Sequence, residues 1–515
     1  MSEGQVRYRR ERKRIGKVGV PTKIFQGIGA LPDSLKGFAF GTFLLFYYSQ
    51  ILGLPASLAS SAIAFALIVD ALFDPLVGSF SDHLKTRLGR RHLLMYLSAA
   101  PLGLSLFLVF TPPQGVSQNI LAAWLLLTTI AANMSMSVFL IPWSALYAEF
   151  SDDYSERTTI VTYRYAMGWI GSLIFIYTTW TYLFPSSHAY DPGQLNPHGY
   201  RMFALVLAAA VVLTVLVTTH LTRREVPYLL QPINPTPRLN VFRVIREIGS
   251  TLSNREFLIL FSGALLTAGI SGTTGALGIY VQTYFWGLRP ENLRWFTLAF
   301  VGALLAFVLV GPIERLLDKK TVLLTCFGLL LVDGIAMIGF RLLDVLPNNG
   351  DPRLLILLIS NEVGRVFLGT ILGIMFASML ADTLDVQELR TGRRQEGMFA
   401  AALSFSGKAT GGVGSLVAGV LLQWVIRWPV KVSPHDVPHE AVMRLGTVAG
   451  MLVPFLFIIP FILGLRYRIT RRVHEQTRAQ LALQRSEQDT SDVQSVVANA
   501  ARFDPSGHII RELGP

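Results

Sequence analysis

Long apolar stretches recur along this chain at about 26–50, 57–81, 92–112, 119–148, 159–184, 201–221, 256–285, 295–316, 321–342, 353–384, 396–426 and 440–465. Each reaches the roughly 20 residues, at 1.5 Å per residue, that cross a ~30 Å hydrocarbon layer. No water satisfies backbone groups there, so the expected architecture is an all-α membrane protein of twelve transmembrane helices. The composition agrees, with 51% hydrophobic and 15% charged residues and a mean hydropathy of +0.47. A soluble domain carries roughly 25% charged residues, so a water-soluble globule is excluded. One cysteine, Cys326, rules out a disulfide framework and a multi-thiolate metal site.

The net charge of +12 points to nucleic acid only if the basic residues are not already explained by topology. Counted along alternate loops, Lys and Arg number 31 in one set (the N-terminal segment, 82–91, Arg157, 222–255, 315–320, 390–394 and 466–485) and eight in the other. Basic residues accumulate on cytoplasmic loops, so both termini are expected in the cytoplasm and no nucleic-acid partner is expected. The first 24 residues lack a short apolar run and cleavage site, so no removable signal peptide is expected.

Residues 222–255 hold Arg223, Arg224, Pro227, Pro232, Pro235, Pro237, Arg238, Arg243 and Arg246 and divide the spans six and six. The predicted organisation is a basic cytoplasmic segment 1–24, a six-helix half 25–222, a cytoplasmic loop 223–255, a second half 256–466 and a cytoplasmic tail 467–515. Gly29-Ala30-Leu31 and Gly53-Leu54 bracket the first span, and Gly263-Ala264-Leu265 and Gly287-Leu288 bracket the seventh with the same 24-residue spacing. Parallel repeats follow as an expectation.

An ionisable side chain at mid-bilayer costs about 2.5–3.5 kcal/mol on insertion scales, which makes each one a functional candidate by default. Asp70 and Asp74 are four apart, so they share one helical face. Two such carboxylates in low dielectric bind a cation, share a proton, or face a base such as Lys408 or Arg164. Ser137 adds an oxygen ligand suited to a small hard cation. Lys408, among Gly407, Gly411, Gly412 and Gly414, reads either as a tethered cation competing for Asp70 or as a structural counter-ion. Asp33 and Lys36 are spaced to pair within one helix, Glu362 and Arg365 likewise nearer the outer face, and Asp333 leaves both readings open. The loop carrying Asp82, Arg87, Arg90 and Arg91, with its echo at Glu314-Arg315, reads as a cytoplasmic latch.

Asp70-Ala-Leu-Phe-Asp74-Pro75 leading to Ser81-Asp82 and Leu88-Gly89-Arg90-Arg91, then Ile141-Pro142, Ser155-Glu156-Arg157-Thr158, Ala381-Asp382-Thr383-Leu384-Asp385, Thr391-Gly392-Arg393-Arg394-Gln395-Glu396-Gly397 and Lys408, in this order, resemble the glycoside–pentoside–hexuronide:cation symporter family. The resemblance implies a major facilitator fold and cation-coupled uptake, with melibiose symporters and a vertebrate lysophospholipid symporter as relatives. It implies that Asp70, Asp74 and Ser137 hold the cation, that Lys408 links cation and substrate, and that Arg164 belongs to the sugar pocket. Asp382, Asp385 and Arg393 join the gate. Ser34, Leu140, Ser144 and Gly373 stand where the melibiose symporters carry sugar or cation contacts. Trp143 and Asp33 complete the candidate substrate set with Arg164 and Ser34.

The expected protein is a monomeric inner-membrane symporter, not an enzyme, that takes up a sugar or glycoside with Na⁺ or H⁺ and needs no other cofactor. A lysolipid symporter of the same fold is the alternative, and a non-transporting sensor a remote one.

Overall fold

The computed structural model describes residues 8–9, 14, 16–84, 86, 88–151, 153–229, 231–232, 255–391, 411–430, 436–469, 471, 473–481 and 483. Helices dominate them; a two-residue antiparallel pair, Tyr8–Arg9 with Gln231–Pro232, is the only sheet among the described residues. The helices used below are α1 (Val20–Ile28), α2 (Leu31–Phe38), α3 (Ala56–His83), α4 (His92–Val109), α5 (Gln118–Phe150), α6 (Tyr154–Thr178) and α7 (Pro197–Thr222). They continue with α8 (Arg255–Tyr280), α9 (Phe300–Leu316), α10 (Lys319–Leu342), α11 (Pro352–Thr391), α12 (Gly411–Val425), α13 (His439–Thr447) and α14 (Ile458–Leu465). Nine helices among the described residues are long and apolar enough to cross a membrane. The chain is an integral, multi-pass membrane protein.

Local signals set several of the ends. Proline opens α1, α2 and α7, where the first amides lack helical partners anyway. Asn196 and Asp153 accept the amides of His198 and Ser155 at the starts of α7 and α6. Inside α3, Pro75 cannot donate to the Ala71 carbonyl, which loosens the backbone beside Asp74.

The helix leading on from α2 ends in a π-helical turn, Tyr47–Ile51. There the Leu52 amide donates to Tyr47 O (3.0 Å) and the Leu54 amide to Tyr48 O (2.8 Å), with Gly53 at φ +81°. The helix leading on from α8 ends the same way: Trp286 to Val281 O (2.9 Å), Leu288 to Gln282 O (2.8 Å), and Gly287 at φ +62°. A third copy closes α12, where Arg427 takes the left-handed position at φ +54°.

Within residues 20–222, α3 packs on α5, α4 on α5 and α7, and α1 and α2 on α6 and α7. Within residues 255–465, α11 packs on α9 and α10, and α14 on α8 and α10. Among the described residues, polar contacts between these two sets cluster at the end bearing Gly53. The Ser49 and Tyr280 hydroxyls meet, Tyr284 Oη donates to Gln50 Oε1 (3.2 Å), and the Ser57 amide donates to Gln423 Oε1 (2.9 Å). Gln194 Nε2 donates to Thr283 Oγ1 (2.9 Å), and Arg289 pairs with Asp191 at 2.6 Å.

Candidate cation and substrate site

Asp70 and Asp74 lie one turn apart on α3, as their spacing requires. Asp70 is 4% exposed, and the Ser137 hydroxyl of α5 donates to its Oδ1 at 2.8 Å. That bond ties the Asp70 carboxyl to α5 inside the bundle. Asp74 and Ser137 face a cavity of about 740 Å³. Its wall also includes Asp33 and Ser34 on α2, Leu140, Trp143, Ser144 and Tyr147 on α5, and Arg164, Tyr165, Trp169 and Ser172 on α6. The described residues thus bring three carboxylates, several hydroxyls and one guanidinium to one place.

Trp143 is part of the wall rather than an open stacking surface. It is 2% exposed, its indole N–H donates to Gln26 O (3.0 Å), and Gln26 Nε2 donates back to Trp143 O (3.0 Å). Arg164 lies over its ring, 4.0 Å from the centroid, and 5.2 Å from that of Tyr147. This contact is a cation–π bond that fixes the guanidinium at the cavity. Gly29 is required here, because a Cβ on it would run into the Trp143 indole nitrogen. Lys36 stands 5.4 Å over the Phe40 ring.

Residues 25–471 match the MFS/sugar transport protein family. The chain belongs to that family. It is 24% identical to an uncharacterised symporter of Synechocystis sp. over 90% of this chain and 97% of the relative. It is 25% identical to the isoprimeverose transporter of Lactiplantibacillus pentosus, over 74% of this chain and 75% of the relative. The crystal structure of the nucleoside transporter NupG shares the fold at TM-score 0.57 and 12% identity, covering 87% of this chain and 100% of that one. The MFS/sugar transport proteins are transporters, and so this chain is a transporter and not an enzyme.

The basic residues of the Asp82 loop pair chiefly with a residue that the sequence pattern did not offer. Arg90 and Arg91 reach Asp82 only at 3.8 and 3.5 Å but bind Glu149, at the end of α5, at 2.6 and 2.5 Å. These ion pairs tie α3, α4 and α5 to one another. Glu314 and Arg315 make no ion pair among the described residues; at that end Lys319 binds Asp382 at 2.7 Å, and His474 lies 3.3 Å from Asp382 and 3.5 Å from Asp385. Lys408, Arg87 and Arg393 lie outside the described residues. Sequence reasoning also missed Tyr147, Tyr165, Trp169 and Ser172. For the residues on α6 the signal was there, since 165, 168, 169 and 172 recur at the i, i+3, i+4, i+7 spacing of one helical face.

Proposed function

We propose that the protein is a cation-coupled symporter for a sugar or glycoside, built of twelve spans in two six-helix halves. The observation that carries this reading is the buried Asp70 carboxylate, hydrogen-bonded by Ser137 and one turn from Asp74 at the wall of a cavity that also holds Arg164. A Na⁺ ion or proton captured by Asp70 and Asp74 removes their charge from the apolar layer and frees Lys408, the proposed link, to release or organise the cargo site. Arg164, Asp33 and Ser34 contact the cargo, and Trp143 acts by holding Arg164. The matching helix ends at Gly53 and Gly287 support the repeat, and the isoprimeverose transporter among the relatives supports a glycoside cargo.

The basic Arg90 end is assigned to the cytoplasm, with both termini, and the membrane to the inner membrane. The contacts at the Gly53 end then seal the outside, and the cavity at Asp74 opens inward. Cation binding couples to cargo only if the half-loaded carrier seldom crosses, which is a difference in free energy between the two states.

Counterflow in proteoliposomes with imposed Na⁺ or proton gradients tests the reading. The panel is isoprimeverose, xylose, a methyl glucoside, a glucuronide and lysophosphatidylcholine. Uphill accumulation of a panel sugar that Asp70→Asn abolishes is the expected result. Accumulation at full strength in Asp70→Asn would sink the ion site, and accumulation of lysophosphatidylcholine alone would replace the sugar with an amphiphile.

A further inference from the structure

A second cavity, of about 420 Å³, is lined by residues between Ser271 and Phe457 together with Thr42, and shares no lining residue with the one at Asp74. Its polar wall includes Asp333 on α10, Asn361, Glu362 and Arg365 on α11, and Gln282, with the hydroxyls of Thr42, Ser271 and Thr274. Phe296 and Trp286 supply apolar surface. Asp333 lies nine residues from the end of α10 and Glu362 ten from the start of α11, about 13–15 Å inside the layer at 1.5 Å per residue.

The obvious alternative is a staple between the two helices, and the geometry argues against it. Asn361 Nδ2 does donate to Asp333 Oδ1, but Arg365 is held loosely. Its Nε stands 3.9 Å from Asp333 Oδ2 and its Nη1 3.5 Å from Glu362 Oε2. These are ion-pair distances too long for good hydrogen bonds. The Asp333, Glu362 and Arg365 side chains stay 26%, 33% and 37% exposed. An ion pair that only braces a membrane bundle is stable when tightly closed, since its charges carry a large desolvation cost. Here the hydrogen-bonding capacity of all three groups is left facing a cavity.

Two carboxylates accept, while the guanidinium and two amides donate. A ring bearing neighbouring hydroxyls offers both functions at each oxygen, and an apolar C–H face to an aromatic wall. Two acids against one base disfavour an anionic guest. The volume falls within the roughly 300–1,000 Å³ of small-molecule sites. We propose that this cavity is a second binding site, for a neutral glycosyl ring, carried chiefly by residues between Ser271 and Phe457. The proposal rests on the glycoside reading above but is independent of the site at Asp70.

The test uses the full chain in nanodiscs with Cys326→Ser as background. Thr274→Cys, at the wall of this cavity, and Ser144→Cys, at the wall of the other, report maleimide labelling. The probes are p-nitrophenyl β-D-glucopyranoside and p-nitrophenyl α-D-xylopyranoside, with choline chloride and glucose 6-phosphate as charged controls. At least one glycoside, and neither control, is expected to slow labelling at Thr274→Cys. Asp333→Asn and Arg365→Gln should each raise the half-protecting concentration there about tenfold or more, the cost of one hydrogen bond to a charged group, with protection at Ser144→Cys unchanged. Glu362→Gln replaces either variant that fails to fold. Protection at Ser144→Cys alone overturns this proposal and leaves the first site standing; protection at Thr274→Cys alone supports it and sinks the first as a cargo site. Absence of protection at both overturns both. Protection by choline, or protection at the same concentration in the Asp333 and Arg365 variants, also overturns it.

Discussion

At the scale of single residues, the Ser137–Asp70 bond separates a cation site from a structural hydroxyl. Losing a hydrogen bond to a charged group costs about 1.5–3 kcal/mol, so Ser137→Ala should raise the half-saturating Na⁺ or proton concentration for uptake about tenfold or more. Ser137→Thr, which keeps the hydroxyl, should not. Uptake measured against Na⁺ at fixed pH, and against pH without Na⁺, checks this; an unchanged cation curve in Ser137→Ala removes the residue from the site. Gly29→Ala makes a second test, because its methyl must displace the Trp143 indole that holds Arg164. Binding of cargo should weaken while the cation curve keeps its midpoint, read by counterflow at varied cargo and varied cation. Asp70 and Asp74 were legible because helical periodicity alone places i and i+4 together. Glu149 was not, because its partners are 58 and 59 positions away and only the packing of α4 on α5 chooses it over Asp82.

At the scale of elements, three helices share one way of ending, and one of the three uses the wrong residue for it. A left-handed residue with a Cβ costs about 1–2 kcal/mol. Gly53→Ala and Gly287→Ala should each lower the midpoint of thermal unfolding in detergent, and Arg427→Gly should raise it by a comparable amount. Midpoints equal to that of the wild type for all three would mean that these turns survive unfolding. The entry of the chain into α1 depends on Glu156, at the loop end of α6 and outside the membrane-crossing part. Burial works against its charge, but the Ser151 hydroxyl, the Val18 amide at 2.5 Å and Lys23 at 3.2 Å outweigh it and hold the carboxyl below its ordinary value. A lowered pKa means that docking is fully present above the usual glutamate value of about 4.3 and is lost only as pH falls through the lower one. Glu156→Gln should therefore loosen the segment at neutral pH, seen as faster amide exchange over residues 16–23. Nine long apolar helices among the described residues were legible from hydropathy. The break between α1 and α2 at Gly29–Ala30 was not, since a run of apolar residues reads as one helix whether or not a tryptophan wedges against it.

At the scale of the whole molecule, the proposed alternating access requires the contacts at the Gly53 end to break and re-form, and their energies decide which of them sets the balance. The Arg289–Asp191 pair is conspicuous but its side chains are 60% and 43% exposed, and exposed pairs contribute about 0–1 kcal/mol. Gln194 is fully buried and donates both to Thr283 Oγ1 at 2.9 Å and to the Leu288 carbonyl at 3.3 Å. Stripping its amide leaves those acceptors buried without donors, at about 1–3 kcal/mol. The ranking that follows is opposite to the one a count of ion pairs gives. Gln194→Ala should shift the population toward the state open at the Gly53 end about five- to a hundredfold, and Arg289→Ala by about fivefold at most. Spin-label distances between the loops at 185–196 and 286–290 read both populations, and high salt should affect neither the wild type nor Gln194→Ala by much, because a buried amide is not screened. If Arg289→Ala opens that end more than Gln194→Ala does, the seal is electrostatic and the buried amide is only a spacer.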